Sequence, residues 1–354
     1  MADKATKIKC LVWDLDNTLW QGVLLEDANV SLRPGVAEII RTLDERGILQ
    51  SVSSKNDHQA AMNKLEEFGL AEYFLYPQIN WNAKSESIKQ IVQSINIGLN
   101  TIAFIDDQPF EREEVAYSLP EVVCLDASLE EVLQLPMMNP DFITEDSRRR
   151  RMMYKEDLVR KEAEEEYQGP KEAFLRSLDM SLTISLATED DLKRAEELTV
   201  RTHQLNTTGY TYSYYELNAF RQSDRHKIFI LGLTDRYGDY GKIGLVLIEC
   251  DEKAWTIKLL LMSCRVMSRG VGTAVIHYLI NLTLQLNVTL RAEFVHNKVN
   301  RMMYISYKFS GFKEIEEDGA KVLFENTLTA EQPIPDYFVL NTPGNHVLLG
   351  EGVG

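Results

Sequence analysis

Two hydrophobic patterns alternate along the first third of the chain. Short continuous apolar runs predict buried strands at Ile8–Trp13, Ile48–Ser53 and Thr101–Ile105. Val36–Glu45 and Gln59–Phe68 instead carry apolar residues three and four positions apart, as helices packed on a sheet do. This alternation predicts a parallel sheet with helices on both faces. Active sites of such sheets lie beyond the carboxyl ends of the strands.

Beyond this region the pattern changes twice. From Asp141 to Leu178 opposite charges interleave, which predicts a solvated connecting helix that breaks at Gly169–Pro170. A second set of elements follows, with a turn at Tyr237–Gly241 and a loop-like segment after Pro333. The predicted strands are Leu182–Leu186, Lys227–Leu233, Lys242–Glu249, Thr256–Ser263 and Val288–Val295, and the predicted helices are Glu189–Arg201, Val271–Leu286 and Asn300–Phe309. The sequence therefore predicts a first domain at 1–140, a charged helical linker at 141–178, a second domain at 179–330 and a tail at 331–354.

Composition narrows the class of protein. The 354 residues are 44% hydrophobic and 26% charged, and 54 acidic against 38 basic residues give a formal charge of −16. Such an acidic surplus repels a phosphate backbone, so we expect no nucleic-acid partner. Four separated cysteines without a CxxC pair are typical of a reducing compartment. The polar start Met1–Lys9 and the absence of a run of about 18 apolar residues predict a cytoplasmic protein with no membrane partner.

Acidic and hydroxyl side chains follow three of the predicted strands. VWDLDNT places Asp14 and Asp16 after the first strand, and AFIDDQ places Asp106 and Asp107 after the third. Between them, SVSSKND ends a strand in hydroxyls, and Lys84 lies in NWNAKSES. Paired carboxylates repel unless a cation or proton lies between them, and Mg²⁺ prefers oxygen ligands. The alternative is that these acids only cap helices or form turns.

These four elements, in this order, resemble the haloacid dehalogenase superfamily of phosphohydrolases. The resemblance implies that Asp14 attacks phosphorus to form an aspartyl-phosphate and that Asp16 acts as acid and then as base. It also implies a phosphate-binding set and a Mg²⁺-binding set. The phosphate-binding set is Asn17, Thr18, Ser54, Lys55, Asn56 and Lys84, and the Mg²⁺-binding set is Asp14, Asp16, Asp106 and Asp107. A one-residue shift would make Ser53 the motif hydroxyl in place of Ser54.

The segment after the first motif is short. Only Leu19 to Arg33 separates it from the next helix, which starts near Pro34, so we expect a minimal cap. An open site cannot exclude water unaided. Either a macromolecular substrate or the second domain is therefore expected to cover it.

The second domain carries a glycine loop after a central strand. LLLMSCRVMSRGVG ends a strand at Cys264, and Arg269–Gly272 opens a helix whose backbone N–H groups attract anions. The element order resembles the GNAT acyltransferase fold, in which this loop grips acyl-CoA. Met267 departs from the usual first position of that loop, which disfavours acyl-CoA and leaves a pantetheine arm as the expected ligand. The implied pantetheine- or acyl-binding residues are Asn206, Arg265, Arg269, Gly270 and Gly272.

The combination of both halves resembles the FkbH family, over residues from about Lys9 to about Phe324. That family is associated with glyceryl loading onto an acyl carrier protein in polyketide pathways, here resembling the tetronate branch. The implied donor is D-1,3-bisphosphoglycerate, the implied cofactor is Mg²⁺, and the activity combines a phosphatase with a glyceryltransferase.

We hypothesise that Cys264 accepts the glyceryl group as a thioester, with Arg265 and either His203 or His296 lowering the pKa of its thiol. Cys264 as a packed small hydrophobe and the histidines as ordinary polar residues remain alternatives. Arg148–Arg151 is the candidate docking surface for the carrier.

Two other functions stay open. The chain could be a phosphatase of a small ester with a non-catalytic docking domain, or a scaffold that holds a carrier protein.

Overall fold

The computed structural model describes residues 7–27, 29–345 and 348. Most of the predicted polar start, residue 28, and the end of the predicted tail lie outside the described residues. The chain divides into two compact units between Lys155 and Glu156. Within the described residues, no helix is long and apolar enough to cross a bilayer.

The first unit contains a five-stranded parallel sheet. Its strands are β1 (Cys10–Trp13), β4 (Leu49–Ser54), β5 (Gln78–Ile79), β6 (Ile102–Asp106) and β7 (Val123–Asp126). They lie in the order β5–β4–β1–β6–β7, and every pair is parallel. The helices are α1 (Val36–Glu45), α2 (His58–Glu67), α3 (Lys84–Ile95) and α4 (Pro109–Ser118). The three predicted strands and two predicted helices are thus present within one or two residues of their predicted bounds.

The segment after the first motif is a hairpin. Its strands β2 (Trp20–Gln21) and β3 (Ser31–Leu32) pair antiparallel. The described part of this segment contains no further strand or helix before α1, which confirms the minimal cap.

The second unit is built on a mixed eight-stranded sheet. Its strands are β8 (Met180–Leu186), β9 (His226–Asp235), β10 (Gly238–Cys250), β11 (Ala254–Met262), β12 (Thr289–Val295), β13 (Phe312–Asp318), β14 (Lys321–Asn326) and β15 (Phe338–Asn341). They lie in the order β13–β14–β12–β11–β10–β9–β8–β15. The helices are α6 (Lys171–Ser177), α7 (Leu192–Arg201), α8 (Tyr214–Gln222), α9 (Val271–Gln285) and α10 (Arg301–Phe309), while α5 (Glu145–Glu166) contains the unit boundary. The predicted class of two α/β domains, the first built on a parallel sheet, is confirmed.

The structure corrects the prediction of a loop-like tail. Phe338–Asn341 forms β15, which pairs parallel with β8 at the edge of the sheet. The tail contains prolines and many polar residues. Its strand is only four residues long, which is too short to show a hydrophobic pattern that would predict it. The predicted turn at Tyr237–Gly241 is also shorter than expected, because β10 already begins at Gly238.

The charged helix α5 is less solvated than predicted. Arg150 is buried and donates to the carbonyl of Gly47 at 2.8 Å, and Arg151 pairs with Asp44 at 3.0 Å. Arg148 and Arg149 are exposed. The predicted docking surface Arg148–Arg151 is therefore reduced to its first two residues.

A buried guanidinium lies further along the same helix. Arg160 is fully buried and makes two hydrogen bonds to Asp235, at 2.7 and 3.0 Å. Its guanidinium also stacks 3.9 Å from the ring centre of Tyr240, whose hydroxyl donates to Asp235. A charge removed from water in this way is tolerated only with such partners. The contact ties the second half of α5 to β9 and β10.

We expect Arg160→Met to lower the free energy of unfolding of the second unit by about 3 kcal/mol, because it leaves the buried Asp235 without its cation. Chemical denaturation monitored by circular dichroism measures this. The matched control is Arg176→Met, since the Arg176–Asp336 pair is exposed and should contribute little. Equal effects of the two substitutions would contradict this account of Arg160.

Candidate active site

Three carboxylates converge at the carboxyl edge of the parallel sheet. Asp14 directly follows β1, and its amide still donates to the carbonyl of Ile105 on the neighbouring β6 at 3.0 Å. Asp106 ends β6, and Asp107 follows it. Oxygen atoms of Asp14, Asp106 and Asp107 lie within 4.8 Å of one another. Adjacent parallel strands end at the same edge, so the pairing of β1 with β6 brings these acids together.

A buried lysine lies between two of these acids. Lys84 is the first residue of α3 and is 4% exposed. Its Nζ donates to Asp106 Oδ2 at 2.6 Å and also to Asp14 Oδ1. The Ser54 side chain, at the end of β4, also makes a hydrogen bond with the Asp14 carboxyl. The structure therefore brings together five of the predicted site residues, which lie in or directly after β1, β4 and β6 and at the start of α3.

In this cluster, burial and the attraction between opposite charges shift the pKa values of the side chains in opposite directions. Burial raises the pKa of Asp14 above its ordinary value, and the Lys84 ammonium only partly counteracts this. Burial and then repulsion by Asp14 raise the pKa of Asp106. Burial acts to lower the pKa of Lys84, but Asp14 and Asp106 together raise it above its ordinary value. Lys84 therefore stays charged, and the cluster attracts further positive charge.

The donor set fits a hard divalent cation. Asp14, Asp106 and Asp107 offer carboxylate oxygens only, which is the ligand type that Mg²⁺ prefers. With one lysine among the three acids, two formal negative charges remain unbalanced. A divalent cation would balance them.

Asp16 lies outside this cluster, which corrects the predicted set of four metal ligands. Its Oδ1 accepts hydrogen bonds from the Trp20 indole at 2.7 Å and the Leu24 amide at 3.0 Å. Its Oδ2 accepts from Asn56 Nδ2 at 3.0 Å. Asn56 was predicted to bind phosphate, yet its buried amide holds Asp16 instead. The predicted acid–base residue thus has a fixed orientation, tied partly to the hairpin.

Two further predicted phosphate ligands also have structural contacts. Thr18 is fully buried; its hydroxyl donates to Asp107 Oδ1 at 3.3 Å and accepts from the Asp107 amide at 2.9 Å. Asn17 has a left-handed backbone with φ of 55°, and its side chain accepts from the Gly22 amide at 3.1 Å. Both residues shape the loop after β1, and their predicted contact with phosphate stays a prediction.

The choice between the two serines of β4 is supported by their contacts. Ser54 contacts Asp14, whereas the Ser53 hydroxyl is buried and has no hydrogen-bond partner. Ser54 is therefore the residue at the cluster.

Two contacts near the cluster were not predicted from the sequence. Arg112 Nη1 donates to the carbonyls of Asp106 at 2.7 Å and Asp107 at 2.9 Å, and so fixes the loop after β6. Lys55 pairs with Glu111 at 2.7 Å. The sequence feature that could have pointed to these contacts is the run QPFERE, which directly follows the two acids. A helix begins at Pro109 in this run.

In the second unit, Cys264 follows β11 in a short 3₁₀ turn and is half-buried. Its Sγ lies 3.8 Å from Gln204 Oε1, next to the exposed His203. His296 is exposed, and its ring packs against Phe294 and Tyr304. The structure thus places the segment containing His203 beside Cys264, and gives His296 aromatic neighbours.

A segment of the chain itself fills the gap between β11 and β12. These strands pair only from Ala254 to Ile257 of β11. Beyond this, the Leu205 carbonyl accepts from Met262 at 2.9 Å, the Thr207 amide donates to the Leu260 carbonyl at 3.0 Å, and the Thr207 carbonyl accepts from Val295 at 3.0 Å. Asn206, predicted to bind pantetheine, is fully buried in this segment and accepts from the amides of Thr208 and Gly209. Its contacts are therefore internal.

Side chains of the predicted anion loop also contact other protein groups. Arg269 is buried, pairs with Glu164 at 2.8 Å and lies over the Phe174 ring. Gly270 has φ of 80°, and a Cβ there would lie 2.2 Å from the Tyr337 hydroxyl. Arg265 Nη2 donates to the Tyr240 carbonyl at 2.7 Å, and Gly272 packs against the Met262 side chain. The two arginines thus contact protein groups in this structure, and the role of this loop in binding a ligand stays a prediction.

Comparison with known proteins gives a family match within the first unit. Residues 20–114 match the family model of haloacid dehalogenase-like hydrolases, a range that begins after Asp14 and Asp16. The chain is similar to the crystal structure of the N-terminal part of the protein BF1531 from Bacteroides fragilis, described as containing a phosphatase domain complexed with Mg, with 31% identity over 38% of this chain and a TM-score of 0.34. The chain spans about two fifths of that structure, 41% of it.

Acetyltransferase structures also resemble parts of the chain. The ribosomal-protein-S18-alanine N-acetyltransferase of Escherichia coli is 18% identical over 43% of this chain and 98% of its own, with a TM-score of 0.32. The GNAT domain of an S. lividans protein is 15% identical over 41% of this chain and 89% of its own, with a TM-score of 0.33. None of the curated proteins matches the chain.

We expect Lys84→Met to lower the free energy of unfolding of the first unit by about 3 kcal/mol in metal-free buffer, because two buried acids lose their shared cation. Urea denaturation followed by circular dichroism measures this. Lys64→Met is the control, since Lys64 pairs with the largely exposed Glu67 on the helix surface. A Lys84 variant as stable as the control would show that Asp14 and Asp106 do not depend on the lysine.

Proposed function

We propose that the first unit is a magnesium-dependent phosphatase of the haloacid dehalogenase type. The observation that carries this proposal is the Asp14 carboxylate, buried and held between Lys84 and Ser54 beside two further acids. A carboxylate fixed in this way is suited to attack phosphorus, while the lysine offsets the charge of the phosphoryl oxygens.

The chemistry has two steps. In the first step, one oxygen of Asp14 forms a bond to phosphorus while the bond between phosphorus and the oxygen of the leaving group breaks. Asp16 donates a proton to the oxygen of the leaving group. Asp16, now a base, takes a proton from water, whose oxygen attacks phosphorus and frees Asp14 and inorganic phosphate. Asn56, Trp20 and Leu24 orient Asp16 for both steps.

The remaining residues neutralise and position charge. Lys84 and Ser54 would hold the transferred phosphoryl oxygens. Asp14, Asp106 and Asp107 would hold Mg²⁺, which when bound supplies positive charge to the phosphoryl group. Thr18 and Arg112 keep the acids of the β6 loop in place.

We expect Asp14→Asn to reduce phosphate release from p-nitrophenyl phosphate by about 10³-fold or more, since the nucleophile is lost. Excess EDTA should abolish the wild-type rate and added Mg²⁺ should restore it. Asp141→Asn is the matched control, because the Asp141 side chain is 61% exposed and pairs with Lys7, away from the acids of the site. A rate unaffected by Asp14→Asn or by EDTA would overturn the proposal.

We propose further that the whole chain takes the glyceryl unit of D-1,3-bisphosphoglycerate, removes phosphate and loads the unit onto an acyl carrier protein of a polyketide pathway. In this scheme the Cys264 thiolate attacks the acyl carbon, the bond from that carbon to the phosphate oxygen breaks, and phosphate leaves. The carrier thiolate then displaces Cys264 from the thioester. The first unit hydrolyses the remaining phosphate ester before or after this transfer.

The main support for this second proposal is the chemistry of the donor. An acyl phosphate is activated and reacts readily with a thiolate, whereas a phosphate ester needs an enzyme nucleophile. Cys264 is only half-buried and lies at the end of a central strand, within reach of groups on the His203 segment. The exposed Arg148 and Arg149 offer positive charge to an acidic carrier.

A phosphatase of a small ester with a docking second unit is the competing function. The observations that favour it are the internal contacts of Asn206 and Arg269, two of the residues predicted to bind the pantetheine or acyl group.

The two functions differ in their dependence on Cys264. We expect Cys264→Ser to abolish mass gain of a carrier protein incubated with enzyme, donor and Mg²⁺, measured by intact-protein mass spectrometry, while p-nitrophenyl phosphate hydrolysis persists. Cys250→Ser is the control, a half-buried cysteine at the end of the neighbouring strand β10. Carrier loading that survives Cys264→Ser would exclude the thioester, and no loading by the wild type would favour the competing function.

A further inference from the structure

One stretch of the second unit carries basic residues without any acid among them. Residues 294–313 contain four basic residues and no Asp or Glu, although the whole chain has 54 acidic against 38 basic residues. All four are exposed: Lys298, Arg301, Lys308 and Lys313. Lys308 pairs with Glu314 at 3.0 Å. Among the residues that the structure describes, the other three make no ion pair. The stretch is therefore a local positive patch on an acidic protein.

The helix α10 directs two of these charges and two apolar side chains away from its packed side. Two residues of α10 are buried and form its inner side, Met303 and Tyr307. Arg301 and Lys308 are separated by about two helical turns, and so are Met302 and Phe309. Each pair therefore projects in one direction. The two pairs lie next to each other on the outer side of the helix.

The apolar side chains on this outer side are strongly exposed. Phe309 is 88% exposed, and Met302 and Val299 are 55% and 50% exposed. Isolated exposed apolar residues are common, but a group that includes aromatic, Met and Arg side chains is typical of a protein interface. We call this group the α10 surface, and it consists of Lys298, Val299, Arg301, Met302, Lys308 and Phe309. The acidic strand β13 limits it on one side, where Glu314 accepts from Lys308.

The α10 surface is connected to the segment beside Cys264. Asn300, directly before α10, is fully buried, and its Nδ2 donates to the carbonyls of Asn206 at 3.1 Å and Thr207 at 3.4 Å. The Gln204 side chain of the same segment lies 3.8 Å from Cys264 Sγ. The start of α10 and the Cys264 thiol are thus linked through one short segment of the second unit.

We propose that the α10 surface binds an acidic helix of the carrier protein, with its cations facing carboxylates of that helix and its apolar side chains covering apolar ones. This rests on the carrier loading proposed above. The formal charge of −16 repels an acidic partner from most of the chain, so a local basic surface has to hold it. Burial of the apolar side chains adds affinity that exposed ion pairs alone do not supply.

Two observations favour this surface and this partner over the alternatives. The exposed Arg148 and Arg149 belong to the first unit, whereas the α10 surface belongs to the unit that contains Cys264. An anionic membrane would also attract cations and apolar side chains, but its flat surface would meet the exposed acids of β13 as well. A helix of a partner protein is only about 10 Å wide and can contact α10 alone.

The test titrates the full chain with the apo form of the carrier protein used in the loading assay. The apo form has no pantetheine thiol, so isothermal titration calorimetry measures binding without transfer. We expect Arg301→Glu and Phe309→Ser each to raise the Kd at least about tenfold, because each removes an anchor of the surface. Arg301 is the first residue of α10, where the helix dipole favours an acid. Both variants should therefore fold, as thermal unfolding shows, and should hydrolyse p-nitrophenyl phosphate at the wild-type rate.

The matched controls are Lys193→Glu and Tyr215→Ser, which change an exposed cation and an exposed aromatic residue elsewhere in the second unit. Both should keep the wild-type Kd. Variants of α10 that bind as the controls do, or binding lost only in Arg148→Glu, overturn the assignment of the α10 surface and leave carrier loading in place. Wild type that binds vesicles of phosphatidylserine and phosphatidylcholine but not the carrier also overturns it. A carrier that neither binds nor gains mass in its pantetheine-bearing form overturns the carrier function and this assignment together.

Discussion

The first unit depends on one electrostatic constraint: two carboxylates at neighbouring strand ends cannot both stay charged in the interior without a cation. Lys84 meets this constraint by donating to Asp14 and Asp106 at once. Coulomb attraction is strong in such a buried place, but so is the cost of removing each charge from water. The lysine therefore balances one negative charge, and the third acid, Asp107, leaves the cluster negative. This residual charge is what makes the strand ends suited to a divalent cation and a phosphoryl group.

The rest of the unit fixes the groups that meet at this point. Parallel pairing of β1 with β4 and β6 brings three strand ends to one edge. Thr18 holds the Asp107 backbone and side chain, and Arg112 binds the carbonyls of the same loop. Asp16 is oriented by Asn56 and by the hairpin residue Trp20. Because these side chains have their partners before any substrate binds, little reorganisation is left for the reaction.

Much of this could be predicted from the sequence, because it depends on local patterns. Apolar runs of strand length located β1, β4 and β6, and the acids that follow them located Asp14, Asp106 and Asp107. The contacts of Thr18 with Asp107 and of Asn56 with Asp16 could not be predicted. They join residues that are far apart in sequence and become neighbours only when the sheet has folded. The same holds for Arg150 and Arg160, which belong to a strongly charged helix yet are buried by partners far away in sequence.

In the second unit, too, sequence patterns did not predict pairing between segments far apart in sequence. The strands around Cys264 were predicted, but the segment at Leu205–Thr207 that pairs with the ends of β11 and β12 was not. Its backbone groups satisfy strand ends that would otherwise lack partners, and no periodic pattern marks a three-residue segment of this kind. The strand β15 was missed for the same reason, because its partner β8 lies far away in sequence and supplies the pairing.

The central claim is that the carboxylates of Asp14, Asp106 and Asp107 gather a divalent cation beside Lys84. Crystals grown with Mn²⁺, a Mg²⁺ substitute with a measurable anomalous signal, test it most directly. The account predicts one anomalous peak within bonding distance of the Asp14 and Asp106 carboxylates, and loss of that peak in Asp106→Asn crystals. An anomalous map with no peak at these carboxylates, in crystals that bind Mn²⁺ elsewhere, would contradict it.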